Sequence, residues 1–246
     1  MKNARFQRRF YRDWVYPKGL YTEEIVVKET DVQILTNKPL DRAFVLRRIG
    51  LYRGAIEDYI NYKDKRFLTS LKPIAVELRA EPIVREMARQ AFAANVGPMA
   101  AVAGAIAQFV GRDILRKGYT DVIVENGGDI FMRITRDIRV GFYHGKNSVL
   151  NSLRLKIKPR GTPLGICASS GTVGHSLSFG IADSVVVAAG NAALADAVAT
   201  AAANRVNAKG DCAGAIDFAR SIKGIRGVIV VLGNHMAGWG SCFEIA

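Results

Sequence analysis

The chain has 246 residues, enough for one large domain or two small lobes around a substantial core. With 49% hydrophobic and 23% charged residues it is not composed like a disordered chain. The formal net charge of +13 is unevenly spread: residues 1–12 hold five basic groups and no acid, whereas residues 161–200 contain no Lys or Arg.

The opening segment, about residues 1–16, reads as a basic arm whose Phe6, Phe10, Tyr11 and Trp14 pack while its arginines stay solvated. Contact with nucleic acid or another polyanion through this arm is the alternative, with nucleic acid the disfavoured partner. The arm has no apolar core of the secretory kind, so no signal peptide is expected.

EEIVVKETDVQIL (23–35) predicts two short strands around a polar turn. Residues 41–64 place Phe44, Val45, Ile49, Ala55, Ile56 and Ile60 at near-helical spacing behind Asp41 as N-cap, and Gly50 and Gly54 leave room for a kink or break. A second helix runs from Pro82 to a stop at Gly97. A third, residues 98–117, opens on Pro98 and carries almost only small side chains for three turns, so another backbone or a ligand can approach it closely.

In VIVENGGDIFMRI (122–134) a buried-looking strand runs into Asn126-Gly127, a strong hairpin signal, and out into a second strand. Further strands are expected at 138–143, 153–157, 164–168 and 184–189, helices at 191–206 and near 211–222, and strands near 227–232 and 241–245. The apolar windows 96–110 and 181–203 are interrupted by Gln108, or by Asp183, Asn191 and Asp196, so no membrane span is expected. Cys167, Cys212 and Cys242 stand far apart without C-x-x-C, which suggests neither a disulfide framework nor a zinc site and fits the cytoplasm.

One stretch echoes another. Lys117-Gly118, Val122-Ile123-Val124 and Gly127 match Lys223-Gly224, Val228-Ile229-Val230 and Gly233 position for position. This is either common local grammar or a true repeat, and a repeat would set two similar lobes across a cleft, where ligand sites are favoured.

Three segments could carry chemistry. ASSGTVGHSLSFG (168–180) gathers glycines and hydroxyls that can present backbone N–H groups to phosphate oxygens, although it lacks the Lys of a P-loop and the G-x-S-x-G of a nucleophile elbow. His175 within it is a candidate proton carrier or a hydrogen-bonded structural residue. Asp196 and Thr200 lie on one face of a helix among alanines, where a carboxylate is costly unless hydrogen-bonded or bound to a cation; Mg²⁺ coordination and capping of a neighbouring element are both open. Around the hairpin, Glu125, Asn126 and Asp129 supply more polar groups than a turn requires, and Gly127 and Gly128 bare the backbone to a flat or anionic ligand.

GPMAAVAGAIAQ, then VENGGDI, a Ser/Gly loop with a histidine, and ADAVATA after a Val-rich strand together resemble the ApbE superfamily, the FAD:protein FMN transferases, and more closely a small uncharacterised ApbE-like branch. The resemblance covers residues 95–206 well and the whole length loosely. It implies a mixed α/β fold of the ApbE type, two-lobed with a central cleft, as one domain over residues 1–246. It further implies binding of FAD or a related dinucleotide, with FMN transfer to a threonine of an acceptor protein or pyrophosphate cleavage as the activity.

By the same resemblance Asp196 and Thr200 are the Mg²⁺ ligands, with a backbone carbonyl near Ala101 or Val102 as the third, and His175 is the candidate acid/base. Glu125, Asn126, Gly127, Gly128, Asp129, Ser169, Ser170, Gly171 and Thr172 are the candidate ligand-binding residues. The chain departs from the transferases at Ala103, Gly104 and Gln108, where their helix has G-x-x-K-G and a later Asp, and after His175, where SLSFG replaces I-D-P-x-T-G. A non-catalytic module that binds a flavin or another anionic small molecule is therefore the alternative function, and a homo-oligomer is compatible with either.

Overall fold

The computed structural model describes residues 19–142, 154–170 and 180–245. Eight strands form one antiparallel sheet, hydrogen-bonded in the order β1 (Tyr21–Val27), β2 (Thr30–Thr36), β3 (Val122–Asn126), β4 (Asp129–Arg133), β7 (Leu164–Ser169), β8 (Ser184–Ala189), β9 (Ile225–Leu232) and β10 (His235–Gly240). A smaller sheet pairs β6 (Arg154–Ile157) with β5 (Ile138–Gly141) on one side and β11 (Glu244–Ile245) on the other. The helices are α1 (Arg42–Tyr62), α2 (Arg66–Thr69), α3 (Pro82–Ala94), α4 (Val102–Arg116), α5 (Ala192–Ala203) and α6 (Asp211–Ser221).

Local chemistry accounts for most boundaries. Asp41 caps α1, its carboxylate accepting from the Phe44 N–H at 2.9 Å. Gly50 and Gly54 do not break the helix: Val45, Ile49, Tyr52, Ile56 and Tyr59 anchor it to the core, and a Cβ at either glycine would meet nothing within 4 Å. The short α2, unannounced by any periodicity, is pinned by Phe67, whose ring meets Tyr59 edge-on at 5.1 Å.

Pro82 opens α3 as expected, but the stop is Asn95 in the left-handed conformation rather than Gly97. Gly97 instead passes the Ser70 carbonyl, where a Cβ would sit 1.7 Å from the oxygen. The turn Pro98–Ala101 is 3-10, and the α-helix begins only at Val102. Near the C-terminus the expected strand at 241–245 shortens to two residues, and β10, whose glycines hid it, takes the sheet edge.

The large sheet is covered on both faces. Val122, Val124, Val185, Val187, Val228 and Val230 face the helices, while Ile123, Met132, Ile166, Val186 and Ile229 face the small sheet's Ile138, Val140, Leu155 and Ile157. Two-sided burial explains why these strands read as continuous apolar runs rather than alternating ones.

The sequence echo has a structural counterpart. Hairpin β1–β2, then helices, then hairpin β3–β4 occupies one half of the sheet, and β7–β8, helices and β9–β10 repeat that order in the other. Gly118 and Gly224 precede the matching strands at φ +80° and +101°, and Gly127 and Gly233 turn the matching hairpins at φ +68° and +60°. The halves join edge to edge where β4 pairs with β7.

Across that join lies α5, every residue of which is buried. Alanine makes this enclosure possible, and glycines in its neighbours complete it: a Cβ on Gly165 of β7 would lie 2.3 Å from the Ala192 Cα, and one on Gly104 of α4 2.4 Å from the Ala192 carbonyl oxygen. The closeness has a measurable consequence. Gly165→Ala is expected to destabilise the protein by about 1–3 kcal/mol in urea unfolding, as overpacking does, whereas Gly50→Ala, with open space around it, should stabilise by roughly 0.5–1 kcal/mol. Equal effects of the two substitutions would contradict this account of α5.

Candidate functional site

The join between the halves concentrates buried polar groups on the helix-facing side of the sheet. Asn126 pairs with Asp129 across a two-residue turn made by Gly127 and Gly128, both at positive φ, which the hairpin's twist requires and glycine allows. The turn is therefore Gly-Gly, flanked by the Asn-Gly signal rather than centred on it. Glu125 closes it by accepting from the Gly128 N–H at 2.7 Å, and Asn126 donates to the Ala103 carbonyl of α4 at 3.2 Å.

Asp129 lies two residues before Phe131 and so shares its helix-facing side of β4, which carries its carboxyl group into the layer that holds α5. There it meets Asp196. The Asp196 carboxylate accepts from the Gly104 N–H at 2.9 Å and from that of Ala103, both in the first turn of α4, where free amides and the helix dipole favour negative charge. Burial nonetheless pushes its pKa up to about 7. Asp129 is raised well above the carboxylate range, first by burial, then by the charge of Asp196 and, more weakly, that of Glu125; contacts from Cys167 and the Ala168 N–H offset only part.

Two buried oxygens here have no hydrogen-bond partner, Asp129 Oδ1 and Ser169 Oγ. In β7, Cys167 lies on the same face as Ser169, two residues before it, with its thiol 3.3 Å from the Ala192 carbonyl. Burial, followed by the charges of Asp129 and Asp196, raises Cys167 well above the usual thiol range. It stays a thiol, unsuited to attack as a thiolate. Nothing in the cysteine spacing points to Cys167 as a site residue; its period-two spacing from Ser169 is the signal that both border one site.

A polar clamp fixes α5 beside the acids. Gln108 accepts from the Ala192 N–H at 2.7 Å and donates to Glu86 at 3.2 Å, Asn191 also donates to Glu86, and the Asn191 side chain caps α5 through the Leu194 N–H at 2.9 Å. Although burial alone would raise Glu86, the Asn191 hydrogen bond and the charge of Arg89 hold its carboxyl below the ordinary range. Gln108, one of the departures from the transferase pattern, is thus engaged in holding three helices together.

Thr200 is buried one turn beyond Asp196 on α5, Ala101 is fully buried as the residue capping α4, and Ser170 directly follows β7. Gly171, Thr172 and His175, like the basic arm, lie outside the described residues. The capping expected as one alternative for Asp196 is real, since it caps α4. Its chemistry also suits a hard cation: carboxylates of Asp129 and Asp196 and the Thr200 hydroxyl are all oxygen donors, and Asp129 Oδ1 is unpaired. Among the described residues no three His, Cys, Asp or Glu side chains surround a common point, so an ion here would draw its other ligands from water and a bound anion.

Comparison with known proteins places the chain. A profile of the family described as "AbpE bacteria" matches residues 13–230. A UPF0280 protein of Methanothermobacter thermautotrophicus is 44% identical over 223 residues, 87% of this chain and 83% of that one. Another, from Methanococcus maripaludis strain C5, is 39% identical over 222 residues, 87% of this chain and 88% of the relative. Among solved structures, the flavin transferase ApbE from Vibrio cholerae aligns over 92% of this chain and 98% of its own with a TM-score of 0.60 at 15% identity. The Pseudomonas stutzeri flavinyl transferase ApbE in its apo form aligns over 89% and 94%, with a TM-score of 0.58 at 11% identity. At these identities the likeness establishes the fold.

The paired acids make stability depend on pH with a definite sign. A carboxyl whose folded pKa exceeds its unfolded value of about 3.9 stabilises the fold only while protonated, so its contribution is complete below that value and is lost as pH rises through the folded one. In buffer containing a chelator, Asp129→Asn is therefore expected to melt a few degrees above the wild type at pH 8, with the gap closing toward pH 4. Thermal melts across that range decide it; a variant less stable at pH 8 would mean that the Asp129 charge is compensated.

Proposed function

The chain belongs to the ApbE-like superfamily through its AbpE bacteria family, and on that premise we propose that it binds a flavin dinucleotide, FAD or a close relative, where its two halves join. The observation that carries this reading is the pair Asp129 and Asp196, two buried carboxylates whose charges meet, Asp196 bonded to the N-terminus of α4 and Asp129 Oδ1 unpaired. An acid pair in a core is costly unless a proton or cation compensates it, and a cation that keeps water and phosphate ligands suits the oxygen donors present.

In this reading Asp129, Asp196 and Thr200, with a backbone carbonyl near Ala101, would hold Mg²⁺, which when bound neutralises charge on the pyrophosphate oxygens. Gly127 and Gly128 bare the hairpin backbone to the ligand while Glu125 and Asn126 keep that hairpin rigid against α4. Ser169, whose hydroxyl is unpaired, would face the phosphates. His175 is the acid/base for transfer of FMN to an acceptor protein or for pyrophosphate cleavage. The named activities of the Vibrio cholerae and Pseudomonas stutzeri proteins support flavin transfer as the reaction class.

Binding without turnover is the second reading, and a specific observation favours it. The transferase pattern has a Lys and a later Asp on this helix where the chain has Ala103 and Gln108, and Gln108 is engaged with Ala192 and Glu86. Cytoplasmic location is supported by the three free, buried thiols. Among the described residues no single helix is long and apolar enough to cross a membrane.

Titration with FAD, following flavin fluorescence with and without Mg²⁺ and then separating the nucleotides by chromatography, tests both readings. Mg²⁺-dependent binding with FMN or AMP released identifies a catalyst; binding with FAD returned intact identifies a binding protein; no binding removes flavin from the proposal. Asp196→Ala is expected to weaken the Mg²⁺-dependent component at least about tenfold. An affinity indifferent both to Mg²⁺ and to this substitution would remove the metal.

A further inference from the structure

The outer side of α4 takes no part in the acid site. Gly104, Gln108 and Gly111 turn toward α5 and β4, whereas Phe109, Arg112 and Arg116 face α1 and the start of α3 across a pocket of about 300 Å³. That volume suits a small organic molecule.

The lining divides by chemistry. Tyr52 and Phe109 meet edge-on at 5.2 Å, and Leu51 and Ile83 extend the apolar surface, Leu51 being 54% exposed. The opposing wall is cationic. Buried Asp113 accepts from Arg48 Nε at 2.5 Å, from the Tyr52 hydroxyl at 2.5 Å and from Arg116 Nη1 at 2.8 Å, so a single carboxylate positions two guanidiniums. Burial, followed by hydrogen bonding to Asp113, pushes the Tyr52 phenol up to about 12, which keeps it a neutral donor.

Donors remain in excess. Arg48 Nη1, Arg116 Nη2 and all of Arg112 have no acceptor among the described residues, and of the acids only Asp113 and exposed Glu81 stand against the three arginines. The first turn of α3 adds to this: Pro82 occupies its first position, no side chain caps it, and its free amides favour negative charge. A planar guanidinium with free edges matches a carboxylate or phosphate through paired hydrogen bonds.

We propose that this pocket binds a small organic anion, its carboxylate or phosphate held by Arg112 with the free edges of Arg48 and Arg116, and its compact apolar body laid against Tyr52, Phe109 and Ile83. The site lies on the side of α4 away from the acid pair and does not depend on the flavin reading.

Calorimetric titration with phenyl phosphate, benzoate and inorganic phosphate tests it. Phenyl phosphate, benzoate or both should bind saturably, and whichever binds more tightly identifies the anionic group; inorganic phosphate, lacking a body, should bind at least about tenfold more weakly. Arg112→Ala should weaken the organic anion about tenfold or more, the scale of one charge-assisted hydrogen bond. Leu51→Asp should also weaken it by placing a like charge at the rim, and thermal melts confirm that both variants are folded. Asp196→Asn should leave the affinity unchanged. The proposal fails if neither organic anion saturates, if inorganic phosphate binds as tightly as they do, or if folded Arg112→Ala and Leu51→Asp bind like the wild type. It fails equally if Asp196→Asn abolishes binding while Arg112→Ala retains it, because the anion would then sit at the acid pair.

Discussion

The structure depends on the contact between α4 and α5. Helix α5 has no solvent-exposed side, and its mostly alanine side chains let neighbours approach closely, at Gly104 and Gly165 without side chains of their own. Close approach brings the first-turn amides of α4 within hydrogen-bond reach of Asp196. One carboxylate thereby satisfies two helix-end donors that would otherwise be buried unpaired. The Glu86, Gln108 and Asn191 clamp holds the same contact from the other end of α5's first turn.

The fold uses one strand-helix-strand unit twice, yet the two copies are not chemically equivalent. In the first copy the hairpin turn is flanked by Asn126 and Asp129, both buried; at the matching places around Gly233 the second copy has Leu232 and an exposed His235. Only the first turn carries an acid into the helix layer. It does so beside β7, the first strand of the second copy, so the acid site belongs to the junction and to neither unit alone.

The acid pair shows how stability and binding oppose each other here. Two carboxylates share a buried region, and each is displaced toward its protonated form. A packed core would be more stable without them. Their presence beside an unpaired Ser169 hydroxyl is understandable if a ligand completes the set, which is why the reading rests on these groups rather than on fold likeness alone.

Much was legible in the sequence because it is local. Asp41 as a cap, Pro82 at a helix start, the hairpin at 122–134 and the Lys-Gly-strand-Gly echo depend on neighbouring residues, and each appears where chain chemistry places it. The segments NGGDI and ADAVATA, which carried the family resemblance, supply the two acids. Other features needed the third dimension. Nothing in their flanking residues separates Gly50, with empty space around it, from Gly165, pressed against α5, because the difference is made by what lies opposite. Likewise Asp129 and Asp196 could each be read as a turn residue or a cap until the sheet brought β4 beside β7 and laid α5 across them. Sequence determined which groups were available, through periodicity and backbone preference acting over a few residues; tertiary packing decided which became a coupled pair, because burial and electrostatic proximity belong to the folded arrangement and not to the chain.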